Sequence, residues 1–309
     1  MLTATDLIFG AVLPFAIALV VMLGTLPKRK PSVLPDADQR AFLLPMAVLF
    51  AVLPAGWLLF RAQNAQLWPM IDADDYLVLS IPLAALGAIV LDLLPRPRWV
   101  TLVGSAFVVA LAVAPILYVK TTMVGPASWS YPVFALHVVW ISLAGGSMAW
   151  ALGALGRIER SPVLPIVLSG TALLLAAWMP FGAAMATAAP RVSVFAWAIG
   201  AGAVISMVRK SNAISTAFAA LTVGGLSAFT AWAVLFGTKP DAMYLPILLG
   251  PLLLMLGFVP IIRNRSAWVR VPVLALLALL PGLIGTGLSA RAYYDNMNKQ
   301  STDPYGYPE

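Results

Sequence analysis

Apolar residues in this chain gather into ten runs, near 6–26, 41–60, 76–94, 99–119, 133–155, 163–188, 192–208, 213–236, 243–262 and 271–290. A helix needs about 20 apolar residues to cross about 30 Å of hydrocarbon, so each run predicts a membrane-spanning helix. Closed barrels also satisfy the backbone in lipid, but these runs are too long for barrel strands and lack their period-two alternation. The expected fold class is therefore all-α: a polytopic transmembrane helix bundle of about ten spans with short loops. The connections are too short for a soluble domain. Residues 1–291 are expected to form a single transmembrane helical domain, and 292–309 a polar, mobile tail.

The polar positions between the runs set an orientation. Connections after the odd-numbered runs carry Lys28, Arg29, Lys30, Arg40, Arg96, Arg98, Arg157, Arg160, Arg209, Lys210, Arg263, Arg265 and Arg270, which are 13 of the 19 basic residues. The opposite set carries Arg61, Lys120, Arg191, Lys239, Arg291 and Lys299. Because loops rich in Lys and Arg stay in the cytoplasm, both termini are expected outside, N-out and C-out. The leading "MLTATD" has no basic residue and "PKRKP" follows the first run, so that run is expected to be retained and not cleaved as a signal peptide.

Composition agrees and then removes chemistries. Of 309 residues 61% are hydrophobic and 10% charged, against about 25% charged in ordinary soluble domains. The net charge of +7 sits in short clusters between apolar runs. It fits anionic lipid at the cytoplasmic loops better than nucleic acid. There is no cysteine, so disulfides, thiolate nucleophiles and Cys-type zinc sites are excluded. One histidine cannot build a multi-histidine metal centre. No glycine-rich phosphate loop is present, and no metal or cofactor is expected.

A few residues stand out as candidates. Asp72, Asp74 and Asp75 precede the third run in "WPMIDADDYLVLSIP". Carboxylates there can cap a helix and meet the positive end of its dipole, with Trp68 and Tyr76 as interfacial anchors. The functional alternative is a cation site or the acidic loop of a lipid-linked glycosyltransferase, although the EF-hand type of spacing is missing. Asp92 is the one carboxylate well inside a run, and intramembrane carboxylates are functional suspects. Arg96 lies four residues on, with Arg98 beyond, so an interfacial ion pair is expected, with a proton or ion role as the alternative.

His137 lies early in the fifth run and is expected to hydrogen-bond at the interface. Ser147 is ten residues further along, about 15 Å on one helix, and with no second histidine a Ser/His protease is excluded. Gly145, Ala149 and Gly153, and separately Ala198, Gly202 and Ser206, recur every four residues and read as close helix packing, inside the bundle or against a partner. Pro14, Pro54, Pro82, Pro115, Pro180, Pro251 and Pro281 fall inside runs, where neighbours must satisfy the carbonyls they free. The other mid-run polar groups are hydroxyls, including Ser105, Ser142, Ser147, Ser169, Thr171, Thr222, Ser227 and Thr230, a sparse set for replacing the hydration of a polar cargo.

Ten short-looped helices resemble the drug/metabolite transporter superfamily, whose members keep both termini in the cytoplasm, the reverse of this charge pattern. The order "WPMIDADDY", "WSYP", "DPYGY" resembles a group of uncharacterised bacterial polytopic inner-membrane proteins. That group has no assigned reaction, so the resemblance implies a bacterial inner membrane and no site residues. The expected role is a non-enzymatic scaffold or accessory subunit of a membrane complex. The alternatives are a transporter of a neutral or largely apolar solute or lipid and, third, a lipid-linked glycosyltransferase. Expected partners are the bilayer, with anionic lipids at the cytoplasmic loops, and other membrane proteins.

Overall fold

A computed structural model describes residues 4–25, 48–49, 52–53, 56–57, 73–94, 97–123, 128–159, 163–209, 215–238 and 240–302. The described residues contain helices and no strand. In chain order the elements are α1 (Ala4–Leu7), a π-helical stretch (Ile8–Val12), α2 (Leu13–Thr25), α3 (Ala73–Leu93), α4 (Arg98–Thr122), α5 (Tyr131–Glu159), α6 (Val163–Gly182), α7 (Ala188–Arg209), α8 (Thr216–Phe236), α9 (Tyr244–Leu253), a 3₁₀ stretch (Leu254–Phe258), α10 (Pro260–Arg263) and α11 (Ala267–Thr302).

Seven helices among the described residues are long and apolar enough to cross a membrane, the architecture of a helical membrane bundle. The expected run 41–60 lies largely outside the described residues. The run 243–262 is broken: α9 gives way to the 3₁₀ stretch and then to extended backbone at Val259. Pro251 and Pro260, which have no N–H to continue a helical ladder, bracket this break.

From α3 onward the long helices follow one another through short connections, so their ends gather on two faces. At one face Tyr76, Tyr118 and Phe134 pack ring to ring, and Phe181 meets Tyr293 and Tyr294. Helix termini at the other face carry Arg98, Arg157, Arg209, Arg263, Arg265 and Arg270.

α8 is the centre, with 78% of its apolar window buried against 22% for the first and last spans. Its paired glycines explain how helices close in from both sides. Gly224 backs onto Val109 and Ala112 of α4, while Gly225 takes the ring of Phe195 from α7. Small residues serve α5 in the same way: Gly146 lies on the backbone of Ala106 and Gly153 on Thr216. In lipid, where apolar burial gives helices little reason to associate, such close packing is a principal source of cohesion.

Proline compensation is visible near the start of the chain. Pro14 has no N–H to offer the Gly10 carbonyl four residues before it, and the helix widens into its π-helical stretch there. Ser193 Oγ of α7 lies 3.0 Å from that carbonyl oxygen and donates to it, while also lying 2.7 Å from the Pro190 oxygen.

Candidate functional site

α6, α9 and α11 form one packed unit through a stripe on α11 of Ala278, Gly282, Gly285 and Ser289. Gly250 of α9 sits on the Ala278 carbonyl, Gly282 on Ile247 and Leu174, and Gly285 on the Met243 carbonyl and Pro246. The stripe brings Ser289 to the end of the bundle where the turn before α9 begins.

That turn carries Asp241, which ties the unit together. Its backbone N–H donates to the Gly182 carbonyl at the end of α6, 2.8 Å. Its Oδ1 accepts from Trp178 Nε1 at 2.7 Å and from the Met243 N–H at 3.1 Å. Its Oδ2 accepts from Ser289 Oγ at 2.8 Å. Three donors from α6, from the turn into α9 and from α11 therefore converge on one carboxylate, which offers about four acceptor positions. Trp178 is fully buried and Ser289 is 2% exposed. Tyr244 packs edge-on against Trp178 at 5.7 Å. The short reach to Met243 is an Asx turn, which aspartate favours because its side chain mimics a backbone turn.

The second polar junction is at the opposite end. Ser215, the N-cap of α8, accepts from the Phe218 N–H at 3.0 Å and donates to Asp92 Oδ2 at 2.8 Å. Asp92 lies in the last turn of α3, so its negative charge faces the positive end of the α8 dipole through one hydroxyl. The arrangement joins the end of α3 to the start of α8. Arg96, its expected ion partner, lies outside the described residues.

His137 occupies a third setting. Its Nδ1 lies 2.8 Å from the Val133 carbonyl. Its ring stacks on Trp129 at 4.4 Å and 28°, with Trp140 edge-on at 6.5 Å. The Trp129 N–H donates to the Lys120 carbonyl at 2.8 Å, and the Lys120 ammonium lies 5.0 Å from the Phe236 ring centre. Imidazole between indoles, on a helix whose first residue is an exposed Tyr131, is the amphipathic chemistry of a membrane interface.

The remaining candidates scatter. Asp72 lies outside the described residues. Asp74 and Asp75 fall in the first turn of α3, their side chains outside the described set. Gly145 approaches Val109 and Val223, Ala149 is fully buried, and Ala198 and Gly202 are buried in α7. The side chain of Ser206 is again outside the described set. Among the described residues no group of three or more His, Asp or Glu is placed to hold a metal ion.

Most of the mid-span hydroxyls named above are turned to backbone duty, whereas Ser142 Oγ is buried without a hydrogen-bond partner among the described residues. Ser105, Ser147, Thr171, Thr222 and Thr230 each donate to the carbonyl four residues before them in their own helix. Ser169 donates across to the Ala196 carbonyl of α7 at 2.8 Å. The protons of these six serve the fold and are not presented to a cargo.

Nothing in the pattern of apolar runs singled out Asp241. The local signal was an aspartate three residues before a helix start in "KPDAMY". Its partners Trp178 and Ser289 stand 63 and 48 residues away, and no local pattern links them. No protein-family model matches the chain, and no curated protein or solved structure is found to be similar to it.

Proposed function

We propose that this chain is a ten-span protein of a bacterial inner membrane, with both termini on the outer face, serving as a non-enzymatic scaffold or accessory subunit of a membrane complex. The observation that carries this reading is how the two best-placed carboxylates are used. Asp241 and Asp92 each accept hydrogen bonds that join separate helices. That is structural work.

A surface for partners is on offer in α11. Its 36 residues extend about 54 Å at 1.5 Å per residue, well beyond a hydrocarbon core of about 30 Å. The last turns, with exposed Tyr294 and Met297, would overhang the outer face. Orientation rests on the clustering of arginines at the opposite end.

The test is purification in gentle detergent followed by native mass measurement. Stoichiometric co-purification with another membrane protein is expected. A strictly monomeric protein, whose deletion leaves every membrane complex unchanged, would refute the scaffold reading.

One observation favours a second reading, a carrier for a neutral or apolar solute or lipid. The broken span of α9 and its 3₁₀ stretch is the kind of discontinuity that transporters use at their sites. Fluorescent-lipid exchange in proteoliposomes separates the two, since a scaffold should not raise the exchange rate above that of empty vesicles.

A further inference from the structure

The connection from α9 to α11 is built unlike a simple loop. Ten α-helical and five 3₁₀ residues cover about 25 Å, less than the roughly 30 Å of a hydrocarbon core. A segment this short would bring the chain round before it clears a bilayer, with the elbow Val259–Arg270 near the lipid headgroups.

The elbow is ordered by its own hydrogen bonds. Arg263 N–H donates to the Val259 carbonyl at 2.9 Å, Asn264 N–H to Pro260 at 3.0 Å and Arg265 N–H to Ile262 at 3.1 Å. Arg270 reaches back from the start of α11, its guanidinium donating to the Arg263 carbonyl at 2.9 Å. That bond meets the negative end of the short helix α10 and closes the turn.

Two kinds of side chain are left on its surface. Trp268 is 91% exposed and Ile261 73%, the two most exposed large hydrophobic residues among those described. Arg263 and Arg265 are exposed beside them. No carboxylate occurs in the sequence between Asp241 and Asp295, so the elbow carries no countercharge of its own. Apolar groups this exposed suit acyl chains, tryptophan favours the interface, and the guanidinium fork matches phosphate oxygens.

We propose that this elbow is a binding site for the headgroup of an anionic phospholipid. Arg263 and Arg265 take the phosphate, Arg270 braces the turn, and Trp268 and Ile261 lie among the first methylenes of the acyl chains. The site is independent of whether the protein scaffolds or carries.

The test uses the full chain in nanodiscs of phosphatidylcholine with a minority of phosphatidylglycerol, followed by native mass spectrometry of the lipid retained after mild delipidation. The wild type should retain phosphatidylglycerol selectively, less so as salt is raised. Two basic side chains near a membrane surface contribute about 1 kcal/mol each, so Arg263→Gln with Arg265→Gln should lower that retention about 30-fold. Trp268→Ala should lower it less, and Arg291→Gln, at the other end, should leave it unchanged.

Unaltered retention in the double variant would overturn the proposal. So would an equal loss in Arg98→Gln, which shares that end of the bundle but lies outside the elbow. Stabilisation by inorganic phosphate alone, with no preference between the two lipids, would make this a free-anion site and overturn the lipid assignment. Should the double variant not fold, the wild type decides through its lipid preference and the salt dependence of that preference.

Discussion

Replacing Asp241 by alanine should be the most damaging single change at its end of the bundle. It removes the acceptor from Trp178, Ser289 and the Met243 N–H at once. The three do not weigh equally. Ser289 keeps the Gly285 carbonyl at 3.2 Å, and the Met243 N–H lies in a half-exposed turn. Trp178 is fully buried and its indole nitrogen packs on Gly182, so its N–H is left without a partner. A buried donor without an acceptor costs about 1–3 kcal/mol, and the two lesser bonds add about 0.5 kcal/mol each, for a total of about 2–4 kcal/mol. Asp241→Asn keeps Oδ1 for Trp178 and Met243 and turns an amide toward Ser289, so it should cost under about 1 kcal/mol. The assay is equilibrium unfolding in mixed micelles titrated with denaturing detergent, followed by tryptophan fluorescence and far-ultraviolet circular dichroism. An alanine variant within about 0.5 kcal/mol of wild type would refute the clasp, since that is the range of an uninvolved surface position. If asparagine proves as damaging as alanine, the charge and not the geometry is what matters, and the hydrogen-bond reasoning fails.

Four further outcomes are expected. Gly146→Ala places a methyl 2.5 Å from Ala106 Cα and should cost about 1–3 kcal/mol through overpacking, whereas Gly287→Ala meets nothing within 4 Å and should be neutral or stabilise by up to about 1 kcal/mol; equal effects in the same unfolding assay would contradict the packing. Ala184 follows α6 with φ 56°, and Met185 N–H bonds back to the Met179 carbonyl at 3.0 Å, the cap in which glycine is usual; Ala184→Gly should stabilise by about 0.5–1 kcal/mol, and a loss would speak against that cap. Ser215→Ala removes both the α8 cap and a hydrogen bond to Asp92 and should cost about 1–2 kcal/mol, with faster amide exchange confined to the first turn of α8 as its signature. A reporter fused after Glu309 should be active on the outer face and one inserted after Arg265 only inside; the reverse pattern would overturn the orientation.

Much of the fold was legible because lipid leaves the backbone few choices. A run such as 99–119 must close its own hydrogen bonds, and α4 does so over Arg98–Thr122. Where competing signals met, the reading drifted. The run 243–262 is apolar throughout, yet Pro251, Gly257 and Pro260 divide it, because hydropathy does not register a missing donor. The polar "ARAYYDNMNKQST" reads as a loose tail, but helix continues to Thr302, with Tyr293 and Tyr294 laid against Phe181 at 5.6 and 5.9 Å. Four-residue spacing pointed to Gly145, Ala149 and Gly153, which do pack inside the bundle, Gly153 on Thr216 of α8, but it passed over Gly146, the glycine of that helix that lies nearest α4. Neighbouring small residues look equivalent until the partner helix has a direction.

The sequence by itself determined the helical class, the apolar character of the long helices and the uneven distribution of charge, all of which follow from local composition and length. Tertiary structure alone decided which polar residues meet. Asp241 with Trp178 and Ser289, Asp92 with Ser215, and Ser193 with the carbonyl that Pro14 leaves free are each separated by dozens of residues or more. Such pairs depend on which helices become neighbours and at what rotation, and that is set by the summed fit of many small side chains and by no single motif.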